Sequence, residues 1–135
     1  MRKRFIGSIA VSLMWVVHSA AVAAPVDELI NGYHASGAGP FSARAGNDLW
    51  HKPFTDNSEN RPRSCASCHT GNPKNAGRHV RTQKPITPMA PSVNHERLTD
   101  TRSIEKWLGR NCKWTLGREC TPQEKGDLLM YLKGL

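Results

Sequence analysis

Residues 65–69 of the 135-residue chain read Cys65-Ala66-Ser67-Cys68-His69. Two thiols three positions apart reach the two vinyl groups on one edge of a haem, and the adjacent imidazole then lies under the iron as proximal ligand. The C-x-x-C-H spacing is that of a c-type haem attachment site. The sequence therefore predicts one covalently attached haem c, bound through Cys65 and Cys68 and ligated by His69.

Three other interpretations of these cysteines fit less well. A thioredoxin-like motif follows a strand, and we predict no strand over residues 61–64. A zinc site needs a second pair of ligands at close spacing, whereas Cys112 and Cys120 lie eight positions apart. A plain disulfide between Cys65 and Cys68 gives His69 no role. Haem attachment is the interpretation that uses all three residues of the motif.

The N-terminus predicts a cleavable secretory signal peptide. Basic residues at positions 2–4 precede an apolar stretch over residues 5–17, and Ala21-Val22-Ala23 provides an A-x-A cleavage site. The apolar stretch is too short to cross a bilayer. We therefore predict a signal peptide over residues 1–23, a monohaem cytochrome c domain over residues 24–135, and export to the periplasm without stable membrane insertion.

The charge balance is that of a basic exported protein, which suggests an anionic partner or membrane surface, although a solvated surface is the default interpretation. The formal net charge is +8, and removal of the predicted signal peptide lowers it to +5. The positive charges follow no single helical face in the sequence, so we expect no nucleic-acid partner.

Hydrophobic periodicity predicts an all-α, cytochrome c-like fold of about four short helices around the haem. Apolar spacing indicates helices over residues 25–34 and around residues 104–111, and Ser42 caps a helix that runs to about Trp50. The last helix has Thr121 as N-cap, Pro122 at its first position, Glu124 closing the capping box and Gly134 as its stop. Residues 52–97 show no sustained period and hold six of the nine prolines, which suits loops that pack on a macrocycle.

The residues alone leave the sixth iron ligand open. Asn111 shares a predicted apolar face with Ile104, Trp107 and Leu108. A buried amide without a partner costs about 1–3 kcal/mol, and iron would satisfy it. Met89, in a proline-flanked loop, is a rival, while Met130 is assigned to core packing. The histidine rivals are His34, His51, His79 and His95.

In an oxidising compartment, Cys112 and Cys120 are expected to form a disulfide. Closing so short a loop contributes about 2.5 kcal/mol in the chain-entropy model.

The stretches over residues 106–112 and 117–122, read with the attachment site, resemble the sphaeroides haem protein group of class I-like cytochromes c, with the related cytochrome c″ carrying histidine at the ligand position. The resemblance implies that His69 is the proximal ligand, Asn111 the distal ligand and Cys112–Cys120 the neighbouring disulfide. It also implies that reduction releases Asn111 so that O₂, NO or CO binds, and that a dihaem cytochrome c donates the electron.

Two other functions stay open at this point. A plain electron carrier would keep Met89 or a histidine as permanent sixth ligand. A haem oxidoreductase would need an acid or base, for which only His79 and Arg81 are candidates, so we expect an electron-transfer and gas-binding protein rather than an enzyme. The candidates for holding the haem propionates are Arg78, Arg81, Lys84 and Trp114.

Overall fold

The computed structural model describes residues 25–55 and 61–135; the predicted signal peptide at residues 1–23 lies outside them. The helices are α1 (Pro25–Ala35), α2 (Ala43–His51), α3 (Cys65–His69), α4 (Thr101–Leu116) and α5 (Pro122–Lys133). The strands are β1 (Phe54–Thr55), β2 (Pro62–Arg63), β3 (Gly77–Arg78) and β4 (Pro85–Ile86). Each sheet is an antiparallel pair, β1 with β2 and β3 with β4. Over these ranges no helix has the length and apolar content to span a membrane.

All four predicted helices are present, and their capping residues set their starts. The Ser42 side chain accepts a hydrogen bond from the Ala45 amide at 3.2 Å at the start of α2. At the start of α5, Thr121 and Glu124 form the reciprocal capping box, with the Glu124 carboxylate accepting from the Thr121 amide at 2.9 Å. These side chains satisfy backbone donors that a helix leaves unpaired, which is why the local sequence predicted the bounds.

Residues 52–97, predicted to show no regular secondary structure, contain short elements. They hold a fifth helix, the five-residue α3, and both antiparallel ladders. The prediction of no strand over residues 61–64 is wrong, because Arg63 pairs with Phe54 and Pro62 with Thr55. Ladders of two residues are too short to show a period of two, so pattern reasoning misses them.

The inward face of α4 differs from the predicted one. The helix begins after Asp100, whose carboxylate accepts from the Ser103 amide at 2.7 Å, and ends at Gly117 in the left-handed region with φ 73°. Its buried residues are Ile104, Cys112 and Thr115. Trp107, predicted to lie on the apolar face, is 46% exposed. The helix is rotated so that residues at i, i+8 and i+11 point inward, with Trp107 beside them.

The outward face of α4 corrects the expectation that the positive charges follow no helical face. Arg102, Lys106 and Arg110 recur every four residues and are all exposed. Residues four apart on a helix are neighbours on its surface, so these three form one row. We call Arg102, Lys106 and Arg110 the α4 cationic row.

Helix α5 joins the two clusters of the hydrophobic core. One cluster contains Trp50, Cys112, Cys120, Leu128 and Leu132. The other contains Val26, Tyr33, Ile104 and Leu129. Leu98 and Leu108 pack against both clusters. The predicted apolar residues of α5, Leu128, Leu129 and Leu132, are all buried, with Tyr131 half-buried beside them.

A close approach of α2 to α5 supports a prediction about Gly46. A Cβ at this buried position would overlap the Asp127 carbonyl oxygen, so there is no room for a methyl group. We expect Gly46→Ala to lower the free energy of unfolding by about 1–3 kcal/mol, as overpacking does. Gly109→Ala is the matched control, because nothing lies within 4 Å of that site in α4, and we expect it to stabilise by about 0.5–1 kcal/mol. Urea denaturation of both variants measures the difference; equal effects would contradict the close approach.

The carboxylate that caps α5 should make stability depend on acid pH. Hydrogen bonds from Arg118, at 2.6 and 2.7 Å, hold the pKa of Glu124 at about 2, below its ordinary value of 4.5. A lowered pKa in the folded state contributes stability above pH 4.5 that is lost as the pH falls toward 2. We expect the difference in unfolding free energy between wild type and Glu124→Gln to shrink over that range. The control is Glu28→Gln, which changes an exposed carboxylate of α1 that forms no ion pair within residues 25–55 and 61–135 and should alter the free energy of unfolding by less than about 0.5 kcal/mol.

Candidate haem-attachment site

Helix α3 places the two free thiols of the C-x-x-C-H motif one turn apart. Ser64 is its N-cap, and the Ser64 amide donates to the Ser67 hydroxyl at 3.0 Å. Cys68 is 7% exposed and Cys65 is half-buried. The motif therefore lies on a short, capped helix with both sulfurs directed toward the interior.

His69 has the protonation state and surroundings of a ligand. Burial, helped by the charge of Arg97, lowers the pKa of His69 to about 4, so the imidazole is neutral at physiological pH. Its Nδ1 atom is buried and has no hydrogen-bond partner among residues 25–55 and 61–135. The Trp50 ring lies 5.6 Å from the His69 ring, centroid to centroid. A neutral imidazole is the form that coordinates iron, so this residue fits the proximal position.

Trp50 is a site residue that the sequence reading used only as the end of a helix. Its Nε1 donates to the Thr70 carbonyl at 2.9 Å, directly after His69. The Trp50 indole therefore holds the backbone directly after His69 in place. Its position as the last large apolar residue of α2 was the only available signal.

The geometry disfavours a redox-active dithiol. Burial raises the pKa of Cys65 to about 11, whereas catalytic cysteines have lowered pKa values. The zinc interpretation also finds no support, because the described part of the chain has no group of three or more His, Cys, Asp or Glu side chains placed to hold a metal ion.

Asn111 lies at the edge of the buried face of α4. Its side chain is exposed among the described residues, and its role as an iron ligand stays a prediction. Its neighbour Cys112 is 4% exposed and lies at bonding distance from Cys120, with Cα atoms 5.5 Å apart. Cys65 and Ala66 of α3 pack against the cluster that contains both of these cysteines. The segment that carries Asn111 therefore packs in the same cluster as the attachment helix.

The rival sixth ligands include Met89, which packs against the same cluster as Cys65 and Ala66. Met89 and Ala90 donate their amides to the Pro73 carbonyl at 2.8 and 3.1 Å, which fixes their loop beside the segment that follows His69. Three of the histidines hydrogen-bond to the backbone. His34 Nδ1 bonds to the Ala38 carbonyl, and the His51 ring nitrogens bond to the Asn47 and Gly71 carbonyls. His79 Nδ1 accepts from the Arg81 and Thr82 amides. His95 is exposed.

A basic cavity of about 500 Å³ opens next to α3. It is lined by Arg61, Pro62, Arg63, Ser67, Val80, Arg81 and Trp114. Arg63 is buried, and its guanidinium lies 4.2 Å from the Trp114 ring centroid. Of the four propionate candidates, Arg81 and Trp114 meet at this cavity, while Arg78 donates to the Gln83 carbonyl and Lys84 is exposed. Sequence reasoning missed Arg63, whose place two residues before Cys65 was the available signal.

Paired thiols and a neutral, half-buried imidazole on one short helix, within an all-α domain, define a c-type cytochrome. The chain matches the family described as domain of unknown function DUF1924 over residues 36–132. It is 45% identical over 105 residues to the cytochrome c-type protein SHP of Cereibacter sphaeroides, an alignment that covers 78% of this chain and 80% of that protein. It is also 45% identical over 69 residues to cytochrome c″ of Methylophilus methylotrophus, covering 51% of this chain and 48% of that protein.

Solved structures agree with this class. Oxidised SHP, described as an oxygen-binding cytochrome c, superposes with a TM-score of 0.74 at 43% identity over 82% of this chain and 96% of that one. Oxidised cytochrome c″ from Methylophilus methylotrophus gives a TM-score of 0.71 at 35% identity over 81% of this chain and 93% of that one. The chain therefore belongs to the DUF1924 family and to the SHP group of c-type cytochromes, and it carries a covalently attached haem c.

Proposed function

We propose that this chain is an exported cytochrome that takes part in electron transfer and, when reduced, binds a diatomic gas such as O₂, NO or CO. Cys65 and Cys68 attach the haem through thioethers, His69 is the proximal ligand and Asn111 is the distal ligand. Similarity to an oxygen-binding cytochrome c over 82% of the chain supports the gas-binding part of this proposal.

The observations that carry the assignment of Asn111 are the contacts of two residues that follow it in α4. Cys112, one residue on, belongs to the cluster on which Cys65 and Ala66 pack. Trp114, three residues on and on the same side of α4, lies 4.2 Å from the Arg63 guanidinium and lines the cavity beside Ser67 of α3. The side of α4 that carries Asn111 is thus the side turned toward the attachment segment.

The side chain of Asn111 is suited to reversible ligation. When bound, the haem would supply an iron ion that changes between the ferric and ferrous states. The Asn111 amide oxygen is a neutral, hard donor, which holds the softer ferrous ion less well than the ferric ion. Asn111 makes no side-chain hydrogen bond within residues 25–55 and 61–135, so no protein partner among them competes with the iron for its amide oxygen.

The remaining parts of the proposal concern the surroundings of the site. Cys112 and Cys120 form a disulfide that restrains the turn after Asn111. Residues 1–23 direct export to the periplasm, and a dihaem cytochrome c supplies the electron. Such a disulfide persists in an oxidising compartment, so the assignment of the disulfide and the assignment of export support each other.

The absorption spectrum of the dithionite-reduced holoprotein, recorded before and after addition of CO, tests the proposal. We expect a broad high-spin ferrous spectrum that shifts at once with CO. A sharp low-spin spectrum that does not respond to CO would mean a permanent strong ligand, such as Met89 or a histidine, and a plain electron carrier.

A further inference from the structure

The outer face of α4 carries a concentration of unneutralised positive charge. Among residues 25–55 and 61–135, no acidic side chain forms an ion pair with any member of the α4 cationic row. Lys113 continues the row by one turn but pairs with Glu119 at 2.9 Å. The three cations span two turns of helix, about 12 Å at 1.5 Å per residue.

The single acidic residue of α4 does not offset this charge. Glu105 accepts a hydrogen bond from the Tyr33 hydroxyl and forms an ion pair with Lys125 at 2.6 Å. Its carboxylate is therefore engaged by residues of α1 and α5, on another side of the helix. The cationic row presents its charge to solvent.

An exposed tryptophan lies beside the α4 cationic row. Trp107 is 46% exposed. The Lys106 ammonium and the Arg110 guanidinium each lie 5.6 Å from the centroid of the Trp107 ring. Tryptophan and arginine are the residues that most often dominate binding energy at protein interfaces. Trp107 precedes Asn111 by one helical turn, so a partner that contacts this ring sits next to the proposed distal ligand.

The chemistry of this face favours an acidic protein over an anionic membrane. Membrane-surface helices insert a broad apolar face between lipids, but Ile104 and Cys112 on the apolar side of α4 are buried in the core. The exposed residues of α4 are polar or charged except for Trp107. A row of cations around one aromatic ring complements a carboxylate-rich protein surface.

We propose that Arg102, Lys106, Trp107 and Arg110 form the docking surface for an acidic electron-donor protein. This inference rests on the proposed function, because only a protein that receives an electron needs such a donor. Docking there brings the donor within one helical turn of the residue that reduction releases.

Stopped-flow reduction of the ferric holoprotein by two donors tests this surface. Flavodoxin hydroquinone is the acidic protein donor, and photoreduced riboflavin is a small donor without net charge. The variant Lys106→Gln/Arg110→Gln removes two cations of the row. Arg44→Gln/Lys74→Gln is the matched control, since it removes two exposed cations that lie outside α4 and form no ion pair within the described ranges.

With flavodoxin at low ionic strength, we expect the row variant to lose about tenfold in second-order rate constant, and the wild-type rate to fall as salt is added. The control variant should stay within about twofold, and riboflavin should reduce all three proteins equally. In the ferric wild type, the indole N–H resonance of Trp107 should shift on addition of oxidised flavodoxin.

Three results would overturn the docking surface. One is an unchanged flavodoxin rate in the row variant, and another is an equal loss in the control. The third is row-dependent sedimentation with phosphatidylglycerol vesicles while flavodoxin reduction is unaffected, which would assign the row to a membrane. The CO response of the reduced protein is read separately, so failure of the gas-binding proposal is distinguishable from failure of the docking surface.

Discussion

Replacing Asn111 with alanine is expected to raise the affinity of the ferric holoprotein for azide and imidazole by at least about tenfold, equivalent to about 1.4 kcal/mol. In the wild type, an external ligand must displace the Asn111 amide, and the variant removes that competition. The fold should tolerate the change, because the side chain is exposed and makes no hydrogen bond within residues 25–55 and 61–135. Spectrophotometric titration of the ferric protein measures the affinities.

Asn31→Ala provides the control for this experiment. Asn31 is an exposed asparagine of α1, so its truncation changes the same chemical group away from the proposed ligand position. Unchanged azide affinity in Asn111→Ala would show that this residue is not the distal ligand. Equal gains in both variants would assign the effect to general loosening of the protein.

Removal of the Cys112–Cys120 pair is expected to produce a large loss of stability. Cys112→Ala/Cys120→Ala opens a loop of eight-residue separation, which should cost about 2.5 kcal/mol in the chain-entropy model. That loss corresponds to a fall in melting temperature of about 10 °C for a domain of this size. Both sulfurs are also buried in the core cluster that includes Trp50 and Leu128.

Two measurements separate the covalent link from the packing of the sulfurs. Wild type treated with a phosphine reductant keeps both sulfur atoms, so it should reproduce most of the stability loss. Thermal unfolding followed by circular dichroism gives both values. If the reduced wild type melts with the oxidised protein, the pair contributes by packing alone and the proposed disulfide has no constraining role.

Local signals in the sequence were sufficient for the parts of the fold that depend on neighbouring residues. Ser42, Thr121 and Glu124 marked helix starts because each side chain bonds to backbone groups within three positions. The rotation of α4 about its axis could not be predicted from such local signals. Trp107 and Ile104 have equivalent apolar character, and which of them points inward depends on contacts with α1 and α5.

The haem attachment motif, the helical class and the caps of α2 and α5 could be predicted from the amino-acid sequence, because each follows from covalent spacing or from bonds between residues close in the chain. The fold was needed to place Trp50 beside His69, to bring the charge of Arg97 to bear on it, to set Arg63 against Trp114 and to turn the α4 cationic row to solvent. These relations join residues far apart in the chain. They depend on how the helices rotate to bury the two core clusters, and local periodicity does not fix that rotation.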